Sequence, residues 1–257
     1  MNDFNRSMAA GARGGSLDTS VDQGLRSFML GVYNKLALGI ALAGVLAYVA
    51  GTVEPVTALV FGTPLYMVVQ WGPIALLLGS MFFMKNPSPL GTAILYWSIV
   101  TMIGLGLGIW VMMAEQSFAG STRGGIQVGA TYGTIAKAFF ITASTFGALS
   151  LWGYTTKRNL TGFGSAMVMA IWGVLALSLV SLLFPPSSTF EWIVMAAVFV
   201  LSAGIVAWQT QELKQGYYAQ GGDARSLAVM TNWGALNFFI SFVNMFRIVM
   251  MVLSSRE

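Results

Sequence analysis

The sequence predicts an all-α integral membrane protein with seven transmembrane helices, and three observations carry that expectation. Of the 257 residues, 56% are hydrophobic and 9% charged. A single soluble core cannot enclose that much apolar surface, so much of it must face lipid. Seven apolar runs each have the length needed to cross a hydrocarbon core, which takes about 20 helical residues. Six of the seven prolines (Pro55, Pro64, Pro87, Pro89, Pro185 and Pro186) fall between these runs, where a missing N–H costs a helix ladder nothing.

Residues 1–27 are polar, rich in Gly, Ala and Ser, and without apolar periodicity, which reads as a disordered tail. A cleavable signal peptide is not expected, because the first apolar run begins near Phe28 and contains Lys35. Residues 28–257 form the membrane domain, with the first helix over 29–50. The second, 66–84, contains Pro73, which must lose its bond to the Val69 carbonyl, so a kink is expected there. The third, 91–113, follows the turn KNPSPL as the second arm of a hairpin, and its Gly104, Gly106 and Gly108 include one small-xxx-small spacing suited to close helix packing. In the fourth, 132–153, Ala143 and Gly147 repeat that spacing. The fifth, 163–184, stops before Pro185; the sixth, 191–210, opens on Glu191; the seventh is 228–253. A β-barrel would alternate lipid-facing and lumen-facing residues, whereas these runs are apolar on all sides. Trp110, Tyr132 and Trp192 at one level and Trp152, Tyr154 and Trp208 at the other fit interfacial belts.

The thirteen Lys and Arg against nine Asp and Glu form no basic stripe interleaved with aromatics, which excludes nucleic acid as a partner. The excess reads as a topology signal. Arg6, Arg13, Arg26, Lys85, Lys157, Arg158, Lys214 and Arg225 fall on one side and Arg123 and Arg256 on the other, which places the N-terminus in the cytoplasm. Seven crossings put the C-terminus outside; a re-entrant last helix would return it. Short loops and the lack of cysteine suit a bacterial inner (plasma) membrane.

The chain has no Cys and no His, so thiolate nucleophiles, imidazole bases and their metal sites are gone. Rhomboid-like hydrolysis lacks its His. Aspartyl intramembrane proteolysis lacks two buried Asp, and a retinal Schiff base lacks a lysine in the seventh run. No enzyme activity, catalytic residue, cofactor or metal site is expected. All nine acidic residues are assigned to the tail, loops, run edges or terminus, Glu212 among them.

The passage from Ala138 to Gly164, AFFITASTFGALSLWGYTTKRNLTGFG, resembles the fourth helix and following loop of the Bax inhibitor-1 (transmembrane Bax inhibitor motif) family. VYNKLALGIALAGVLAYVAG resembles that family's first helix, AWQTQELK the end of its sixth and GALNFFISFVNMFRIVMMVL its seventh. The resemblance implies six helices surrounding a central seventh, and a pH-sensitive calcium leak whose sensor is a pair of aspartates on the sixth and seventh helices. Here those positions match Gln209 and Ser241, and Asn159 stands where the loop motif carries an acid. Loss of the pair removes the strongly shifted carboxyl and the divalent-cation attraction that two close carboxylates provide.

The remaining candidates are polar groups inside the runs. Asn237, Ser241 and Asn244 share one face of the seventh helix, with Asn232 near its start. Together with Gln209, Thr210 and Gln211 they suggest a small hydrated cavity, or else bonds between helices. Lys35, Lys137 and Arg247 are intramembrane cations, each costing about 2.5–3.5 kcal/mol on insertion scales unless it snorkels or is paired. Lys35 is expected to snorkel to the inner side. Lys137 and Arg247 either snorkel outward or form a positive vestibule, with Glu115 or Glu191 as partner, that repels cations. Two functions follow: a weakened calcium- or proton-linked ion leak, or an interaction module that modulates another membrane protein such as a membrane-bound quality-control protease. The expected partners are the lipid bilayer, small cations for the first function and that membrane protein for the second.

Overall fold

The computed structural model describes the backbone of residues 2–118, 131–181, 188–220 and 223–254; side chains are described from Gln23 onward, except 117–118, 168, 171, 174, 175, 178–189 and 191. These residues are all-helical: α1 (Asn2–Thr52), α2 (Glu54–Phe61), α3 (Leu65–Phe83), α4 (Pro89–Phe118), α5 (Tyr132–Thr155), α6 (Thr161–Ser181), α7 (Ser188–Ala219) and α8 (Ala224–Ser254). Six are long and apolar enough to cross a membrane: α1 from Gln23, α3, α4, α5, α7 from Trp192, and α8. Helix α6, 21 residues long, packs against α7.

The helix ends follow local chemistry. Helix α2 lies where only a loop was expected, and it starts with Glu54 and Pro55 in the first turn, an acid facing the positive helix end and a ring that presets φ. Thr131 and Thr134 form a reciprocal capping box on α5. Asp223 accepts the Ser226 N–H at 2.8 Å to start α8. Helix α7 runs nine residues past the expected 210 to Ala219, because Gln, Glu, Leu and Lys favour helix after the hydrophobic signal stops. Similarly, Leu25 and Phe28 are buried, so the packed part of α1 begins before residue 29. Helix α3 stays helical through the buried Pro73.

Packing is most extensive between α1 and α4. A Cβ built on Gly104 would lie 2.8 Å from the Ala43 Cα, and one on Gly108 would lie 2.8 Å from the Ala50 Cβ. The small-xxx-small spacing therefore serves as expected. Gly147 differs: a Cβ there would meet nothing within 4 Å among the described residues. Helix α8 is the most enclosed element, with 61% of its apolar window buried against 17–39% for the other five spans. It touches α1, α4, α5 and α7. Phe238 stacks on Tyr33 at 5.7 Å and meets Phe146 edge-on at 5.5 Å, and Phe239 and Met245 are fully buried beside it.

Among the aromatics expected at the interfaces, Trp152 and Trp192 are exposed. Trp208 covers Gly164 of α6, where a Cβ would fall 2.3 Å from its ring, and the Lys214 ammonium lies 5.1 Å from the Tyr154 ring centre.

Candidate functional site

Helix geometry sends three consecutive polar residues of α7 to three different places, since successive side chains are about 100° apart. Gln209 faces α8, and the Ser241 hydroxyl donates to its Oε1 at 3.1 Å. The Thr210 hydroxyl lies 3.1 Å from that of Ser150 on α5, which in turn bonds the Tyr33 hydroxyl of α1. Gln211 clamps the α5–α6 loop, accepting the Leu160 N–H at 2.7 Å and donating to the Arg158 carbonyl at 2.7 Å. The anticipated cavity of all three thus shrinks to Gln209. Asn159, in the same loop, accepts the Thr161 N–H at 2.9 Å, which helps satisfy the free amides at the start of α6.

Gln209 and Ser241 are brought together across the α7–α8 seam, and the space beside them is a cavity of about 250 Å³ lined by Gln209, Glu212, Gly216, Met230, Trp233 and Asn237 among others. Glu212 was expected in a loop. It lies instead one turn beyond Gln209 on α7, exposed in this cavity. A neutral pair with one neighbouring carboxylate offers cation-binding oxygens but not the shared-proton behaviour of two close acids. Sequence reading missed Glu212 because hydropathy ends where the helix does not.

The polar face of α8 is divided. Asn237 opens on the cavity with Glu212, Ser241 is buried against α7, and Asn244 opens on a second cavity of about 490 Å³ between α3, α4 and α8. The two cavities have no lining residue in common. Asn232 faces elsewhere: its amide donates to the Pro89 carbonyl and the Thr92 hydroxyl, each at 2.8 Å, while its Oδ1 accepts from the Lys35 ammonium. The Tyr96 hydroxyl donates to the Lys35 carbonyl at 2.7 Å, an approach that Gly39 permits because a Cβ there would lie 2.1 Å from that oxygen. The half-buried Lys35 thus shares one amide with the start of α4: Asn232 accepts from its ammonium and donates to Pro89 and Thr92, which ties α1, α4 and α8 together.

The expected vestibule is also redrawn. Arg247 lines the larger cavity with Asn244 and Gln70, but Lys137, exposed near the start of α5, does not. Glu115 accepts the Tyr132 hydroxyl at 2.5 Å, and the Glu191 side chain lies outside the described residues. Among the described residues no group of His, Cys, Asp and Glu is placed to hold a metal ion.

Comparison with known proteins places these features in context. Residues 25–257 match the family described as "Inhibitor of apoptosis-promoting Bax1". A protein of Caulobacter vibrioides is 42% identical, covering 97% of this chain and 97% of its own length. The protein RP147 of Rickettsia prowazekii is 34% identical over 94% of this chain and 95% of its own. The inner membrane protein YbhL of Escherichia coli is 29% identical over 91% of this chain and 94% of its own.

Proposed function

The chain belongs to the Bax inhibitor-1 family, and from that premise we propose that it is a non-enzymatic bundle of seven membrane helices, six around the central α8, that leaks small cations weakly along the α7–α8 seam. The observation that carries this reading is the pairing of Gln209 with Ser241 at 3.1 Å beside a cavity containing Glu212. The positions matched to the family's aspartates are adjacent in space, and one negative charge survives a turn away. Glu212 attracts a cation to the cavity mouth. Gln209 and Ser241 offer neutral oxygens, so the pair itself has no acid switch. The buried Phe242 and Met245 close α8 beyond Ser241, which keeps the flux small. The excess of Lys and Arg on one side supports a cytoplasmic N-terminus, and the relation to YbhL supports a bacterial inner membrane.

A second reading, modulation of another membrane protein by contact, is favoured by a different observation. The seam between α1 and α5 is an open crevice of two cavities, about 520 and 330 Å³, which share Ile40 and Phe242. Gly44 and Gly147 on its two walls each face open space.

Calcium and proton flux in proteoliposomes separates the two. The leak reading expects a small native flux that is removed by Glu212→Gln, and a larger, pH-dependent flux from the double variant Gln209→Asp, Ser241→Asp. An inert native protein, unchanged by Glu212→Gln, would reject the leak in favour of modulation.

A further inference from the structure

The cavity between α3, α4 and α8 is graded along the membrane normal. By helix rise, Gln70, Trp110 and Arg247 sit about 8–12 Å from the helix ends at Leu65, Phe118 and Ser254. Leu77, Ile103 and Ile240 line the same cavity about 18–23 Å from those ends. A polar, cationic end therefore opens near the interface, and an apolar slot continues below it toward the bilayer centre.

The polar end gathers three polar side chains whose hydrogen-bonding capacity is left over. Lys35, Asn232, Gln209, Gln211, Ser241 and Thr210 all bond to protein. Gln70, Asn244 and Arg247 make no hydrogen bond or ion pair with another described residue, and no carboxylate lines the cavity. All three are exposed at the mouth of the cavity, and the planar fork of Arg247 suits two oxygens of a phosphate.

We propose that this cavity is a binding slot for one anionic phospholipid, with its phosphate on Arg247, Gln70 and Asn244 and an acyl chain between Leu77, Ile103 and Ile240. A soluble anion would satisfy the charge but leave the apolar half of the cavity unused. A neutral amphiphile would fill the slot but leave Arg247 unpaired. The cavity volume of about 490 Å³ falls within the range of small-molecule sites.

Trp110 borders the slot and serves as the probe. The full chain is reconstituted in dioleoylphosphatidylcholine vesicles and titrated with dibrominated phosphatidylglycerol or dibrominated phosphatidylcholine. The Trp110 quenching is taken as the difference between the native protein and Trp110→Phe. The expected result is about fivefold preference for phosphatidylglycerol, the factor that one interfacial cation supplies. Arg247→Gln should bring the preference to about one, and Arg247→Lys, which keeps the charge, should retain most of it. Equal quenching by the two lipids in the native protein would overturn the proposal, and that comparison decides by itself if Arg247→Gln does not fold. A preference unchanged in a folded Arg247→Gln would also overturn it. Displacement of the brominated lipid by aqueous glycerol 3-phosphate would overturn it in favour of a soluble phosphate.

Discussion

Replacing glycine by alanine should change stability in opposite directions at Gly104 and Gly147, although both lie inside membrane helices. At Gly104 the added methyl carbon would sit 2.8 Å from the Ala43 Cα and 3.1 Å from the Ala43 carbonyl oxygen. Both are backbone atoms, so no rotamer change relieves the overlap. Helix α1 must retreat by about 1 Å to restore ordinary contact, and a gap of that size forfeits a quarter to a half of the attraction at each packed pair it opens. Overpacking of this kind costs about 1–3 kcal/mol, and about 2 kcal/mol is expected here. At Gly147 nothing lies within 4 Å of the new carbon, so the helix propensity of alanine should stabilise by about 0.5 kcal/mol. Gly108→Ala should resemble Gly104→Ala, and the double variant should cost less than the sum because both push the same helices apart. Reversible unfolding in mixed dodecylmaltoside–SDS micelles, followed by helical circular dichroism, measures all four. Stability of Gly104→Ala within about 0.5 kcal/mol of the parent, the range of an ordinary surface change, would refute the argument from close α1–α4 packing.

Three further outcomes follow from the polar contacts. Asn232→Leu removes the bonds to the Pro89 carbonyl, the Thr92 hydroxyl and the Lys35 ammonium, and should destabilise by about 2 kcal/mol in the same unfolding assay; Lys35→Met in that background should recover part of the loss. Gln211→Ala removes both bonds that hold the α5–α6 loop. It should cost about 2 kcal/mol, with faster hydrogen exchange at the Leu160 amide. Hydrogen bonds from the Ser226 side chain and amide hold the Asp223 carboxyl below the ordinary aspartate value of 3.8. Its folded-state affinity for protons is thus lowered. Its contribution is complete above 3.8 and is lost as pH falls through the depressed value. Exchange protection in the first turn of α8 should therefore weaken only in strong acid, and Asp223→Asn should abolish that pH dependence.

The sequence exposed long-range order unevenly. Apolar runs and proline positions made the helices legible, because a spanning helix must satisfy its own backbone in lipid and so declares itself by composition. Helix ends were less visible. Glu212 looked like a loop residue because hydropathy reports burial in lipid, whereas α7 continues on helix propensity into a more polar segment. Cations were the least legible: Lys35, Lys137 and Arg247 look alike as single charges in apolar runs, yet Lys35 is tied to Asn232 and Arg247 opens on a cavity.

By itself, the sequence determined the helical membrane class, the approximate place of six long apolar spans, the lack of Cys and His chemistry and the family resemblance, all properties of local composition and order along the chain. The tertiary structure alone decided which polar groups meet. Gln209 finds Ser241 across 32 positions of sequence and Lys35 finds Asn232 across 197. The difference has a physical cause: a helix fixes the angular direction of each side chain relative to its neighbours, but which element lies in that direction depends on how all the helices pack together.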